Sequence, residues 1–363
     1  MSDTNRISKQ YVPILIAICV LAFAVIMAHL LQDPHVAEAK RPTFTPTKTF
    51  TPPPTPIDTA TPTRTPANTA TTAPTNTDTP SPAQTSSPAP TATSTPTRAP
   101  VPAFDHIFVV IEENHGYSQI IGSAGAPYIN GLVAQNSLAT NYFAITHPSL
   151  PNYLSLVGGD TFGITTDCSP ATCPVSAPNL SDRIEAGGRT WRGYMESMAA
   201  ACGTNSSGAY AVKHNPFVYF NDIRTNNARC ASGVVPYTQL AADLSSLAAT
   251  PNFVWITPNL CNDMHDCSVS TGDTWLQNNL PAIFNSPAWT TQNSVLFLLF
   301  DEDNSAENNH VPAVIVGPAV KSGFQSAVRY DHYGWLHTVE TAWGLPPLTI
   351  HDATATVITD VWR

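Results

Sequence analysis

Four short runs of apolar, largely β-branched residues stand out along the chain beyond Pro102: His106–Ile111, Phe253–Thr257, Ser294–Phe300 and Ala313–Val316. Three are almost continuously hydrophobic, the pattern of strands buried on both faces rather than strands with one wet side. Between them the apolar positions recur at helical spacing in Ala126–Gln135, Leu150–Val157, Leu180–Ala186, Tyr237–Ala248, Thr274–Phe284 and His332–Trp343. Strands alternating with helices predict an α/β domain with a mainly parallel central sheet and helices on both faces.

The first hundred residues follow other rules. Tyr11–Leu31 contains no Asp, Glu, Lys or Arg, and its 21 residues suit the hydrocarbon thickness of a bilayer. Arg6 and Lys9 precede it, which keeps residues 1–10 cytoplasmic and exports the remainder. Ala37-Glu38-Ala39 resembles a signal-peptidase site, so two readings stand: an uncleaved single-pass anchor, which the length of the run favours, or secretion after cleavage at Ala39. Within residues 32–102, the stretch from Arg41 to Pro102 holds 16 Pro and 21 Thr. Such a segment cannot bury enough apolar surface to offset its chain entropy. It reads as a stalk that carries the domain of residues 103–363 away from the membrane and offers a cell-wall or glycan contact.

Charge and cysteine content narrow the classes further. From Ala103 onward 9 Lys/Arg face 21 Asp/Glu, a net of −12, which excludes a nucleic-acid binder that needs a basic face. Cys19 lies in the apolar run; the other six, Cys168, Cys173, Cys202, Cys230, Cys261 and Cys267, read as disulfides of an exported domain. Six cysteines allow fifteen connectivities, and pairing of sequence neighbours (168–173, 202–230, 261–267) is the favoured one.

The residues that follow the apolar runs carry the chemistry. In a parallel sheet, ligands bind beyond the carboxyl ends of the strands. Glu112-Glu113-Asn114-His115 follows the first run, Asp263-Met264-His265-Asp266 follows the second, and Asp301-Glu302-Asp303 follows the third. Carboxylates gathered at one edge repel each other unless a cation neutralises them, and oxygen ligands with His suit Zn²⁺, Mn²⁺, Mg²⁺ or Ca²⁺. His310 precedes the fourth run and is expected at the opposite end of the sheet unless its loop folds back. Asp303 and Glu307 read as exposed loop charges. Ser149, between His147-Pro148 and Leu150-Pro151-Asn152, opens a helix, where free N–H groups favour an approaching phosphate. Lys213-His214 adds a cation and an imidazole suited to a phosphate dianion or its leaving group.

Glu113-Asn114-His115 with Tyr117, ATNYFAITHPSLPNYLSLVGG at 139–159, PNLCNDMHDC, GDTWLQNNLP, LFDE, HVPAVIVGP and YDHYGWLHTVE together resemble the bacterial and fungal phosphoesterase family of the alkaline phosphatase superfamily. That family includes secreted acid phosphatases, phosphatidylinositol-3-phosphatase-like enzymes and, more distantly, bacterial phospholipases C. The likeness runs from about Asp105 to Leu348 and leaves out the anchor and stalk. It implies an alkaline phosphatase-like fold and one or two divalent ions. Glu113, Asn114, Asp301 and Glu302, with Ser149 as nucleophile, would hold the first ion; Asp263, His265 and His310 would hold the second. It further implies substrate contacts from Lys213, His214 and Asn152, with His214 also assisting the leaving group. His332 reads either as support for the site or as a cap within the core. The implied activity is phosphomonoester hydrolysis through a phosphoserine. A phospholipase C-like phosphodiesterase and a non-catalytic surface binding protein are the alternatives.

Overall fold

The computed structural model describes residues 100–363, so the anchor at 11–31 and the stalk, apart from its last three residues, lie outside the described residues. Among those described, no helix is long and apolar enough to cross a membrane.

Among the described residues ten strands occur in chain order: β1 (His106–Glu112), β2 (Ser137–Ala139), β3 (Tyr142–Phe143), β4 (Trp191–Met195), β5 (Val234–Pro236), β6 (Phe253–Thr257), β7 (Ser294–Phe300), β8 (Ala313–Val316), β9 (Phe324–Ser326) and β10 (Tyr330–Asp331). Eight form one sheet in the order β5-β4-β6-β1-β7-β8-β2-β9, while β3 and β10 pair separately. Every neighbouring pair in the large sheet is parallel except those of β8, which runs against both β7 and β2. The three central strands, β6, β1 and β7, are buried along their whole length, as their unbroken apolar runs require.

Among the helices around the sheet are α1 (Pro127–Gln135), α2 (Ser149–Gly158), α3 (Leu180–Ala186), α4 (Val269–Phe284) and α5 (His332–Trp343). Register shows that both faces are covered. Trp255, Phe297 and Val109 share one face, and there Trp335 of α5 packs edge-on against Trp255 and Phe297. Phe108 points the other way and meets Trp289, which itself packs on Phe284 of α4. Buried aromatic pairs of this kind add to the hydrophobic stabilisation of the layers. Helix α5 also lies against α2, the helix that begins at Ser149.

All four strands and five of the six helices expected from periodicity are present, with ends moved by a few residues. The exception is Tyr237–Ala248, where a 3₁₀ turn at Tyr237–Gln239 leads into a helix that stops at Asp243. Its Ser and Thr hydroxyls satisfy the backbone instead: Ser245 Oγ donates to Ala242 O, and Thr250 Oγ1 to Asp243 O. The three disulfides join 168–173, 202–230 and 261–267.

Candidate active site

The carboxyl ends of β1, β6 and β7 are fastened to one another through their backbones. Asp301 N donates to Glu112 O at 3.0 Å, Glu113 N donates to Asp263 O at 2.8 Å, and Asn114 N donates to Asp301 Oδ1 at 3.1 Å. Asn114 itself adopts a left-handed backbone with φ of 53°, which turns the chain sharply after Glu113. His332 secures the arrangement from behind, with Nε2 2.7 Å from Asp301 O and Nδ1 3.0 Å from Tyr142 OH. Burial pushes its ring down to about 4, so it is neutral and donates Nε2–H to the carbonyl.

Ser149 is the first residue of α2 and is almost fully buried. Its Oγ lies 3.2 Å from both Glu113 Oε2 and Glu302 Oε1. Burial, and then repulsion from Asp301, pushes Glu302 up to about 8. Burial likewise raises Glu113 and Asp301 well above the carboxylate range, assisted by Asp263 and Glu113 respectively. Four carboxylates crowded into a dry edge thus resist ionisation without a counter-charge.

His214 supplies the clearest sign of which counter-charge fits. Its Nδ1 lies 3.2 Å from Asp263 Oδ2, and its ring stacks on Tyr153 at 5.3 Å. Burial, then the charges of Lys213 and His265, depress its basicity well below the usual imidazole range. The neutral ring donates its Nδ1–H to Asp263 Oδ2 and turns the Nε2 lone pair towards Glu113 Oε1, 3.1 Å away. Neither of these two buried atoms has a hydrogen-bond partner, and Asp301 Oδ2 is equally bare. Buried acceptors facing each other are costly unless a proton or a metal cation lies between them. Ligand atoms of Glu113, His214 and His265 lie within 4.8 Å of one another, a donor set of oxygen and imidazole nitrogen that fits a divalent ion.

Several expected roles change. His214, expected to assist the leaving group, is buried and lies with Glu113 and His265 in the group that could hold a metal. Asp263 does not face the cluster directly: Oδ1 accepts the backbone N–H of His265 at 2.8 Å and Oδ2 lies against His214 Nδ1, so it orients the His214 ring and fixes the backbone at His265, whose own ring pairs with Asp266. Asn152 is fully buried, and its amide is used on the nucleophile loop, accepting from Ile145 N and Thr146 N and donating to Thr146 O. No edge of it remains for substrate. The antiparallel course of β8 brings His310 to the active edge rather than the far one. Even so, its ring is sandwiched between Tyr117 and Phe143 with Nε2 2.9 Å from Thr140 O, apart from the cluster. Asp303 is buried, not an exposed loop charge, and accepts from Ser305 N and Glu307 N. Burial alone would raise it, but those N–H groups outweigh burial and hold it low.

Three participants were not evident from sequence. His147 bridges Glu302 Oε2 (2.7 Å) and Asp303 Oδ1 (2.9 Å) and lines an open cavity of about 400 Å³ with Asn114, His115, His265 and Glu302. Its place two residues before Ser149 was the only available signal. Tyr153, one turn into α2, is the stacking partner of His214. Asp167 accepts from Lys213 Nζ at 2.9 Å and from Leu150 N at 3.1 Å, and nothing local in the sequence marks it.

The phosphoesterase family model matches residues 123–346. The chain belongs to the phosphoesterase family. It is 38% identical over 267 residues to a phosphatidylinositol-3-phosphatase of Mycobacterium tuberculosis, covering 72% of this chain and 84% of that protein. A probable acid phosphatase of Kluyveromyces lactis and an acid phosphatase of Aspergillus fumigatus are each 31% identical over 268 residues. Those matches cover 70% of this chain but 62% and 58% of the fungal proteins, which are longer. Among solved structures, an alkaline phosphatase superfamily protein from Vibrio parahaemolyticus superposes with a TM-score of 0.52 at 13% identity, covering 72% of each chain, and so shares the fold. Membership makes this protein a hydrolase of phosphoric ester bonds, with the edge described above as its candidate active site.

Proposed function

We propose that the protein is an extracytoplasmic, metal-dependent phosphatase that hydrolyses phosphate monoesters through a phosphoserine at Ser149. The observation that carries this reading is the position of Ser149 Oγ, 3.2 Å from each of two buried carboxylates and at the start of a helix. Glu113, His214 and His265, with Asp301 and Glu302 beside them, would hold one or two divalent ions. Bound there, such an ion supplies Lewis-acid stabilisation of developing negative charge.

Every other task falls to the chain. Lys213 holds the phosphoryl oxygens. Glu302 or Glu113 accepts the Ser149 proton as Oγ attacks phosphorus, and the ester oxygen leaves into the open cavity, where water protonates it. A second water then attacks phosphorus, the P–O bond to Ser149 breaks, and the carboxyl group returns its proton to Oγ. Positioning and charge neutralisation account for most of the rate, as expected for phosphoryl transfer.

The three disulfides favour an oxidising compartment, consistent with an anchor at 11–31 and a stalk ahead of the domain. Phosphoinositides are included among the substrates on the strength of the mycobacterial relative. The test is to assay the full chain on an aryl phosphate and an aryl phosphodiester, with and without a chelator. Faster turnover of the monoester, lost on chelation and restored by Zn²⁺ or Mn²⁺, is expected. Preference for the diester, or indifference to chelation, overturns the proposal.

A further inference from the structure

We propose that Asp167 is the positioning residue for Lys213, and that the Cys168–Cys173 disulfide keeps it in place. This rests on the phosphatase reading and deepens it, by naming what fixes the cation that meets the substrate's phosphate. One carboxylate joins two parts of the site: Oδ2 accepts from Lys213 Nζ at 2.9 Å, and Oδ1 accepts from Leu150 N, immediately after the nucleophile, at 3.1 Å. The second contact also revises the expectation for the helix start. The N–H next to Ser149 is already engaged, and Pro151 in the same turn has none, so the helix start offers a phosphate fewer donors than expected and the Lys213 ammonium carries more of that task.

Lys213 needs such a tether. Its stem has four rotatable carbons, and its other neighbour is His265 Nε2 at 3.2 Å, within the ligand cluster. Asp167 in turn sits on a segment without regular structure between α2 and α3, so its position must come from elsewhere. The adjacent Cys168 is bonded to Cys173, and its carbonyl accepts from Tyr219 OH at 2.6 Å; Pro170 O accepts from Arg224 Nη1 at 2.7 Å. The loop is thus fastened to the domain at two points beside Asp167.

Competitive inhibition by inorganic phosphate, measured on the full chain with its metal, reads this directly. Asp167→Asn keeps the shape and the acceptor for Leu150 N but removes the charge. It should raise both the phosphate inhibition constant and KM about tenfold, the worth of one charge-assisted hydrogen bond, and change kcat less. On a Lys213→Ala background the same substitution should change nothing further. Replacing Cys168 and Cys173 together by Ser should shift the inhibition constant in the same direction. Tighter phosphate binding by Asp167→Asn would show that the carboxylate competes with substrate, and additive effects in the double variant would show that it acts independently of Lys213; either result overturns the proposal. An unchanged constant in the Cys variant overturns the disulfide's part. A parent protein that hydrolyses esters but is not inhibited by phosphate defeats the inference alone, whereas one that hydrolyses no phosphate ester defeats the reading beneath it.

Discussion

Asp263 and His214 together show how a single residue can be read correctly as important and wrongly as to what it touches. Both stand in motifs that sequence alone singles out. Only the fold reveals that Asp263 lies behind His214, fixing its tautomer, and that the imidazole is what reaches Glu113. Carboxylates that orient a metal-binding His typically affect affinity 10–100-fold. Asp263→Ala should therefore weaken Zn²⁺ or Mn²⁺ binding by about that factor, measured by calorimetric titration of the chelated protein, while Ser149→Ala leaves affinity within about threefold. Equal affinities for Asp263→Ala and the parent would contradict the role given to Asp263. His310 teaches the complementary lesson: a His beside a conspicuous motif can be taken up by aromatic stacking and a backbone carbonyl. Asp303 reversed in the other direction, since the backbone N–H groups that bury it come from its own loop and leave no mark on composition.

At the level of elements, the strands that build the site were legible because burial on both faces forces continuous apolar runs. β1, β6 and β7 are of that kind, and the carboxylates following them could be read as one edge. β4 escaped notice because Arg192 and Gly193 interrupt it. Arg192 is paired with Asp243 there, and a Cβ on Gly193 would come within 2.8 Å of the Phe217 ring. β2 and β9, at three residues each, are too short to carry a period. The orientation of β8 was also beyond the pattern, because a four-residue apolar run looks the same in either direction. Its reversal decides which end of the sheet His310 occupies. Asp167 lay out of reach for a related reason: it is 46 residues from Lys213 in sequence, on an irregular loop whose course depends on its disulfide and on Tyr219.

For the whole molecule, the acidity that first served to exclude nucleic acid becomes a stored cost at the active edge. Glu302 is pushed up to about 8 by burial and Asp301, and Glu340, far from the edge in α5, to about 9 by burial and Asp352. A carboxyl whose folded pKa exceeds its unfolded value contributes stability that is full below the unfolded pKa and is lost as pH rises through the folded one. The histidines lowered by burial, His214 and His332, act at the acid side, so the window from about pH 7 to 9 isolates the carboxyls. The chelated protein should lose thermal stability across that window. Adding the divalent ion should remove the Glu302 share and leave that of Glu340. A melting temperature that rises with pH without metal, or a slope that metal does not alter, would contradict this account of the edge.

The central claim is that Ser149 carries the phosphoryl group. Rapid mixing of the full chain with an aryl phosphate, acid quenching and peptide mass analysis test it most directly. The account predicts phosphate on the peptide containing Ser149 during turnover, and neither phosphopeptide nor activity in Ser149→Ala. Steady turnover by Ser149→Ala, with no phosphopeptide in the parent, would contradict it.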